Sequence, residues 1–260
     1  MKIVTLTSDW GLKDHYLAQV KGRLLKEITD VVIVDISHQI PPFDLNQASF
    51  VFRNSWNSFP SGTIHIIDLM SDASIKTPHT VVVKEGHYFI GTDNGFFSLV
   101  FDTAPDDIYE IDIHQDSDYF TFSARDVFVK AAAQIAAGKP VSDLGDRVTA
   151  LIPKIPFAPV IDANHLIGKV IYVDNYENVI TNISEQLFRE VGKNRPFTVM
   201  FGSSKYPYKQ LDTSYKDVPD TEVVVLINSA GLLEIAVSMG NASGLLGLDV
   251  EDKVRIEFKG

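Results

Sequence analysis

The sequence predicts an α/β domain with a mostly parallel sheet flanked by helices, followed by a smaller all-β domain of barrel-like form. Three observations carry this. Strand-like and helix-like segments alternate through the first 150 residues, the pattern of βαβ units. A proline-rich stretch, Ile152-Pro153-Lys154-Ile155-Pro156-Phe157-Ala158-Pro159, then interrupts the chain where no helix can continue. Beyond it the apolar segments are short and strand-like, with one helical segment among them. The expected division is an α/β domain at 1–152, a linker at 153–165 and a β domain at 166–260, the last within the size of a small domain.

The elements follow in order. Residues 3–7 read as a strand. In 14–28 apolar residues recur at Tyr16, Leu17, Val20, Leu24 and Leu25, the spacing of one helix face. The run VVIVDI at 31–36 reads as a strand buried on both faces. A second helix is predicted over 44–57, with Asp44 near its cap. Residues 63–69 form a third strand with Asp68 close to its end. Residues 80–84 and 87–91 read as a hairpin about Glu85-Gly86, 94–101 as a helix start and 108–113 as a strand. The alanine-rich segment 125–138 reads as a helix closed by glycine. In the second domain, strands are predicted at 166–174, 179–183, 197–201, 222–227, 233–237 and 254–258, and a helix at 184–191.

Composition narrows the function classes. The chain has 260 residues, 45 % of them apolar, enough for a full core. Without cysteine it can form neither disulfides nor thiolate metal sites. A net charge of −11, from 34 acidic and 23 basic residues, argues against nucleic acid as a partner. No stretch reads as a signal peptide or a membrane span, so a cytoplasmic protein with no membrane partner is expected. The seven histidines show no metal-ligand spacing, and no metal site is expected; neither a serine-hydrolase elbow nor a phosphate loop is present.

Several polar clusters fall where α/β proteins bind ligands. Asp9 and Asp68 lie at the C-terminal ends of predicted parallel strands, where carboxylates can converge over the sheet edge. Asp9 could accept both hydroxyls of a ribose; equally, it could cap the turn into the first helix. Asp93 and Asn94, in Thr92-Asp93-Asn94-Gly95, could face a ligand or form a helix cap and turn. Ser123 precedes the alanine-rich helix, whose N-terminus could polarise a ligand, or it caps that helix with Asp126 at the third helical position. In the second domain, Asp174 and Asn178 could offer an acceptor and an amide, and Asn228 and Ser229 could donate to a carboxylate; turns account for both pairs as well.

Taken together, six segments resemble one family, the S-adenosylmethionine (SAM) hydrolases, also called SAM hydroxide adenosyltransferases, relatives of fluorinase and chlorinase. They are TLTSDWGLKDHYLAQVKGRLL, IVDISHQIPPFDLNQASFV, YFIGTDNGFFSLV, TFSARDVFVKAAAQIAAG, YVDNYENVITNI and INSAGLLEIAV, in family order and spanning nearly the whole chain. The resemblance implies a metal-free and cofactor-free enzyme whose substrate is SAM, assembled as a homotrimer with each site at a subunit interface. It implies that Asp9 holds the ribose hydroxyls, that Asp14 faces the methionine end and that Phe43 lies beside the sugar. Asp174, Asn178 and Ser229 match residues that hold the methionine portion and the nucleoside.

The chain also departs from the family pattern. Typical members surround the attacking water with an aspartate, an arginine and a histidine. Asp68 matches the aspartate, but the Asp-Pro-Gly-Val-Gly-Thr segment and its arginine are replaced by DLMSDASIK, which puts Ile75 or Lys76 at the arginine position. Family TFHGRD is here TFSARD, so Ser123 stands at the histidine position, and the glycine before Asn178 is Glu177. The expected reaction is attack of water or hydroxide on C5′ of SAM, with Asp68 handling the water and Lys76 and Ser123 in the two substituted positions. Loss of one such donor costs about 3–4 kcal/mol of barrier, so slow turnover is expected. The alternatives are a non-catalytic SAM or adenosine binder and a halogenase-like enzyme on a related substrate.

Overall fold

A computed structural model of the chain describes residues 1–114, 121–202 and 207–259. The chain divides into two compact units, Met1–Pro156 and Phe157–Gly260. In the first, β1 (Lys2–Ser8), α1 (Tyr16–Glu27), β2 (Val31–Ser37), α2 (Leu45–Arg53) and β3 (Ile64–Asp68) lead to β4 (His79–Lys84) and β5 (His87–Thr92). Then follow α3 (Phe96–Val100), β6 (Asp107–Ile111), α4 (Val129–Ala136) and β7 (Gly145–Arg147). The strands form one sheet in the order β2-β1-β3-β5-β4-β6-β7.

The sheet is mixed, which corrects the mostly parallel expectation. β2, β1, β3 and β5 run parallel, whereas β4 is antiparallel to β5 and β6, and β6 to β7. The reason is local. Glu85 and Gly86 both adopt positive φ, 53° and 77°, the turn that reverses two strands through two residues. Alternate strand residues face opposite layers. Val81 and Ile90 join a core with Val20 and Leu24 of α1 and Ala132 of α4, whereas Val82 and Phe89 join Phe52 of α2 and Phe96 of α3. Helices thus cover both faces.

Two further expectations are corrected. VVIVDI is not buried on both faces: β2 pairs only with β1 at the sheet's edge, and Val32 is 38 % exposed. The apolar run reads the same at an edge as at a centre, because strand position is not a local property. The second helix stops at Arg53, and Trp56–Ser58 forms a separate short turn of helix. Asp44 does cap α2, accepting from the amides of Asn46 and Gln47.

The second unit contains β8 (Val160–Ile161), β9 (His165–Val173), β10 (Val179–Ser184), α5 (Glu185–Gly192), β11 (Phe197–Phe201), β12 (Val223–Ile227), β13 (Leu232–Val237), α6 (Ala242–Leu246) and β14 (Lys253–Phe258). The order is β11-β14-β9-β10-β13-β12, all antiparallel, with β8 added beside β9. Val199 of β11 and Val225 of β12, on the two edge strands, share one core. The sheet must therefore curl, giving a half-barrel. The edges do not pair directly; Tyr208 bridges to Val199 and Asp212 to Leu226. Neither β8, inside the stretch read as linker, nor α6 was expected from the sequence.

Candidate functional site

Two strand tips of the first unit come together over the sheet edge. Ser8 and Asp68 are partners in the parallel register of β1 and β3, so Asp9 and Asp68 leave adjacent strands side by side. Asp68 is 3 % exposed. Burial pushes its pKa up to about 7, and the nearby charges of Asp9 and Asp72 push in the same direction. The Ser71 side chain and the Ala124 amide favour the charged form and oppose the shift. The net result is a carboxyl able to gain or lose a proton near neutrality.

Asp9 does not cap α1, which begins at Tyr16 behind His15. Its carboxylate accepts from the amide of Phe43 at 2.9 Å. Phe43 holds a left-handed φ of 67° and is 73 % exposed, so the ring is presented to solvent beside Asp9. A bulky residue in that conformation is costly unless its surroundings hold it there. The β1 tip is itself anchored: Ser8 Oγ lies 2.7 Å from His38 Nδ1, and His38 Nε2 lies 3.2 Å from Asp35. Trp10 stacks on His38 with planes 8° apart. The Ser8–His38–Asp35 order is that of a hydrolase triad, but Ser8 and His38 are buried at 0 % and 4 % exposure, so they brace the tip. Asp14 lies exposed just ahead of α1.

The remaining candidates of this unit divide. Ser123 does not cap the following helix. Its hydroxyl donates to the Ser71 carbonyl at 3.0 Å, which places it beside the Asp68 loop. The helix behind it opens with one wide turn over Ala124–Phe128, where the Val129 amide reaches back to Ala124. Lys76 sits in the exposed turn closed by Ser74 and Thr77, and it is not among the groups acting on Asp68. Asp93 accepts from the Ile152 amide at 2.8 Å, and Asn94 donates to the Leu69 carbonyl at 2.8 Å. Both therefore tie loops together behind the tip. Gly95, at φ 93°, has no space for a side chain: a Cβ there would lie 2.8 Å from that of Lys154.

In the second unit the hairpin tips are knitted by their own side chains. Asp174 accepts from the amides of Tyr176 and Asn178 and from the Asn178 side chain. Asn228 Oδ1 accepts from Ala230 and Leu232, while its Nδ2 donates to Glu234 at 3.1 Å. Tyr215 donates to the other oxygen of Glu234 at 2.7 Å. Burial, then Glu234 and Asp174, raise the Tyr215 pKa, so the Asp174 hairpin and the Asn228 hairpin face a common group. Ser229 is exposed at the tip of its turn. Glu177 takes φ 60°, which explains why glycine suits that position; here its side chain accepts from the Gly244 amide and its carbonyl from Ser243, holding the start of α6.

Sequence reasoning missed His38, Ser71, His79, Tyr215 and Glu234. The histidines carry no spacing signal, and Glu234 sits in an apolar strand run where only its burial marks it. Among the described residues no group of three or more His, Asp or Glu could hold a metal ion, and no helix is long and apolar enough to cross a membrane.

Comparison with known proteins shows the family. Residues 4–145 match the SAM hydroxide adenosyltransferase N-terminal domain, and residues 168–255 its C-terminal domain. A protein of Methanocaldococcus jannaschii named (R)-S-adenosyl-L-methionine hydrolase is 30 % identical, covering 99 % of this chain and 97 % of its own. A protein of the same name from Thermus thermophilus is 30 % identical over 98 % of this chain and 100 % of its own. The crystal structure of an uncharacterized conserved protein from Thermotoga maritima superposes with a TM-score of 0.87 at 30 % identity, covering 98 % of this chain and 99 % of that one. The chain belongs to the SAM hydroxide adenosyltransferase family.

Proposed function

We propose that this chain hydrolyses S-adenosyl-L-methionine, in the (R) form named for its relatives, to adenosine and L-methionine. One observation carries the reading: a buried carboxyl, Asp68, with a pKa of about 7, at a strand tip shared with Asp9. An ordinary aspartate is too weak a base to take a proton from water, and a carboxyl tuned toward neutrality is better matched. In the reaction the C5′–S bond breaks with its electron pair leaving on the methionine sulfur. The oxygen of water bonds to C5′, and its proton passes to Asp68. The sulfonium carries positive charge, so its arrival near Asp9, Asp68 and Asp72 favours the ionised form of Asp68. Asp9 and Phe43 are assigned to the ribose, Asp14 to the methionine end, and Asp174, Asn178, Asn228 and Ser229 to the rest of the ligand. Asp93 and Asn94 support the tip from behind. The reading needs no cofactor, and it includes a cytoplasmic homotrimer, which light scattering on the purified chain tests for its assembly.

Turnover is slow in this reading, because the Ser123 hydroxyl donates to a backbone carbonyl and Lys76 sits on an exposed turn. Neither replaces the base and the planar donor of the family pattern. The same two placements favour the second reading, a SAM binder without turnover. Incubation with SAM followed by chromatography decides: adenosine is expected with the native chain and absent with Asp68→Asn. Equal traces from both remove the hydrolase reading, and calorimetric binding without product then establishes the binder.

A further inference from the structure

Ser71 carries an unusual load. Its carbonyl receives His79 Nε2 at 2.9 Å from β4, Ser123 Oγ at 3.0 Å from the segment before α4, and Thr92 Oγ1 at 3.3 Å from β5. His79 and Thr92 are direct cross-strand partners, which is why both reach one oxygen. A carbonyl has two lone pairs, so the longest of the three contacts is the weakest. The loop around Ser71 has few other anchors, since Met70 and residues 72–76 are exposed. The same residue's side chain faces the Asp68 carboxyl.

We propose that His79 is a positioning residue for the reaction: through the Ser71 carbonyl it fixes the Ser71 side chain against Asp68. This rests on the reading above in taking Asp68 as the working carboxyl. His79 and Ser123, the position where the family pattern has its histidine, donate to the same Ser71 carbonyl, so two hydrogen bonds link the imidazole to that position. The donor at Nε2 leaves Nδ1 without a proton in the neutral ring. Burial favours that neutral ring, while the Ser71 carbonyl and Asp72 favour the cation. The ring's edge contact with Phe128, 4.9 Å between centroids, fixes its orientation. The groups facing Asp68 are Asp9 from the β1 tip, Asp72 and Ser71 from its own loop, and the Ala124 amide. Of these, Ser71 is hydrogen-bonded to His79 through its carbonyl, whereas Asp72 acts on His79 by charge alone. Loosening Ser71 removes a donor from the ionised carboxyl and raises its pKa.

The test is a carbon-13 NMR titration of the Asp68 carboxyl, run beside the pH profile of adenosine formation. His79→Phe keeps a ring against Phe128 and loses the donor; His79→Gln restores a donor. His79→Phe is expected to raise the Asp68 midpoint by about one pH unit and shift the rising limb of kcat by the same amount, with KM nearly unchanged. His79→Gln is expected to restore most of both, and Ser71→Ala to reproduce the His79→Phe shift. A midpoint unmoved in His79→Phe overturns the inference, as does a shift that Ser71→Ala fails to reproduce. Should His79→Phe not fold, His79→Leu and Ser71→Ala decide by the same titration, with no shift in either overturning it. A native chain that makes no adenosine defeats the hydrolase reading alone, because the carboxyl titration still decides whether His79 acts through Ser71.

Discussion

Asp68 in the α/β unit and Glu234 in the β unit are each 3 % exposed, yet they are housed in opposite ways. Glu234 has one neutral donor on each oxygen, Tyr215 and Asn228. Both oxygens are partnered, and its neighbours are fixed by it. Asp68 has the Ser71 side chain and the Ala124 amide, but it also faces two like charges, Asp9 and Asp72. A buried acid with matched donors holds a shape; one crowded by other acids holds a proton that can move. The pair teaches that burial alone assigns no role. The balance of donors and charges around the carboxyl does.

The largest expected effect tests the Asp68 side of that contrast. Asp68→Asn should lower the rate of adenosine formation by at least ~10²-fold. It should also stabilise the fold, because a buried charge is removed. A carboxyl whose folded pKa lies above its unfolded value binds extra protons on folding between about pH 4 and 7. Stability from this group is therefore greatest below that window and falls as pH rises through it. The gain from Asp68→Asn should be larger at pH 8 than at pH 5 by about 3 kcal/mol, read by urea unfolding. An equal gain at both values would show that Asp68 is not the titrating group.

Next in size is His65, which gives the opposite pH dependence within the same unit. It is fully buried, with Nδ1 2.7 Å from Thr5 Oγ1 and Nε2 3.1 Å from His87. Burial, then the charge of His87, lowers its pKa to about 3. The unfolded chain takes a proton below about pH 6.5 that the folded chain refuses, so stability falls as pH drops through that window. Between pH 6.5 and 4.5 the loss should reach about 2 kcal/mol, and His65→Asn should flatten this slope.

The Glu234 side is tested by Glu234→Ala, which leaves Tyr215 and Asn228 without their acceptor. Unfolding should cost about 2 kcal/mol less. The KM for SAM should rise more than kcat falls, since the hairpin tips lose their shape while the β3 tip is untouched. An unchanged KM would break the assignment of those tips to binding. The smallest effect is expected at Ser229→Ala: an exposed residue, so stability should stay within ~0.5 kcal/mol, with only KM responding.

Much of the fold was legible because it depends on local chemistry. The capping aspartate of α2, the Glu85-Gly86 turn and the apolar spacing of α1 each act within a few residues, and each appears where the chain places it. The mixed sheet was misread because the hairpin it contains was weighed less than the alternation around it. β2 was misread as central because an edge strand and a buried one share the same apolar run. For the site, Asp9, Phe43, Asp68, Asp174, Asn178 and Asn228 stood out through their resemblance to a family and their positions at strand tips. His79 and Glu234 did not, since their partners lie far along the chain.

By itself, then, the sequence determined most of the strands, the acids that end them and the family the whole belongs to, because periodicity, turn chemistry and motif order are written along the chain. Only the tertiary structure decided the proton affinity of Asp68, the convergence of His79, Thr92 and Ser123 on one carbonyl, and the pairing of Glu234. Those depend on desolvation and on charges brought close by folding, and neither exists until distant segments meet.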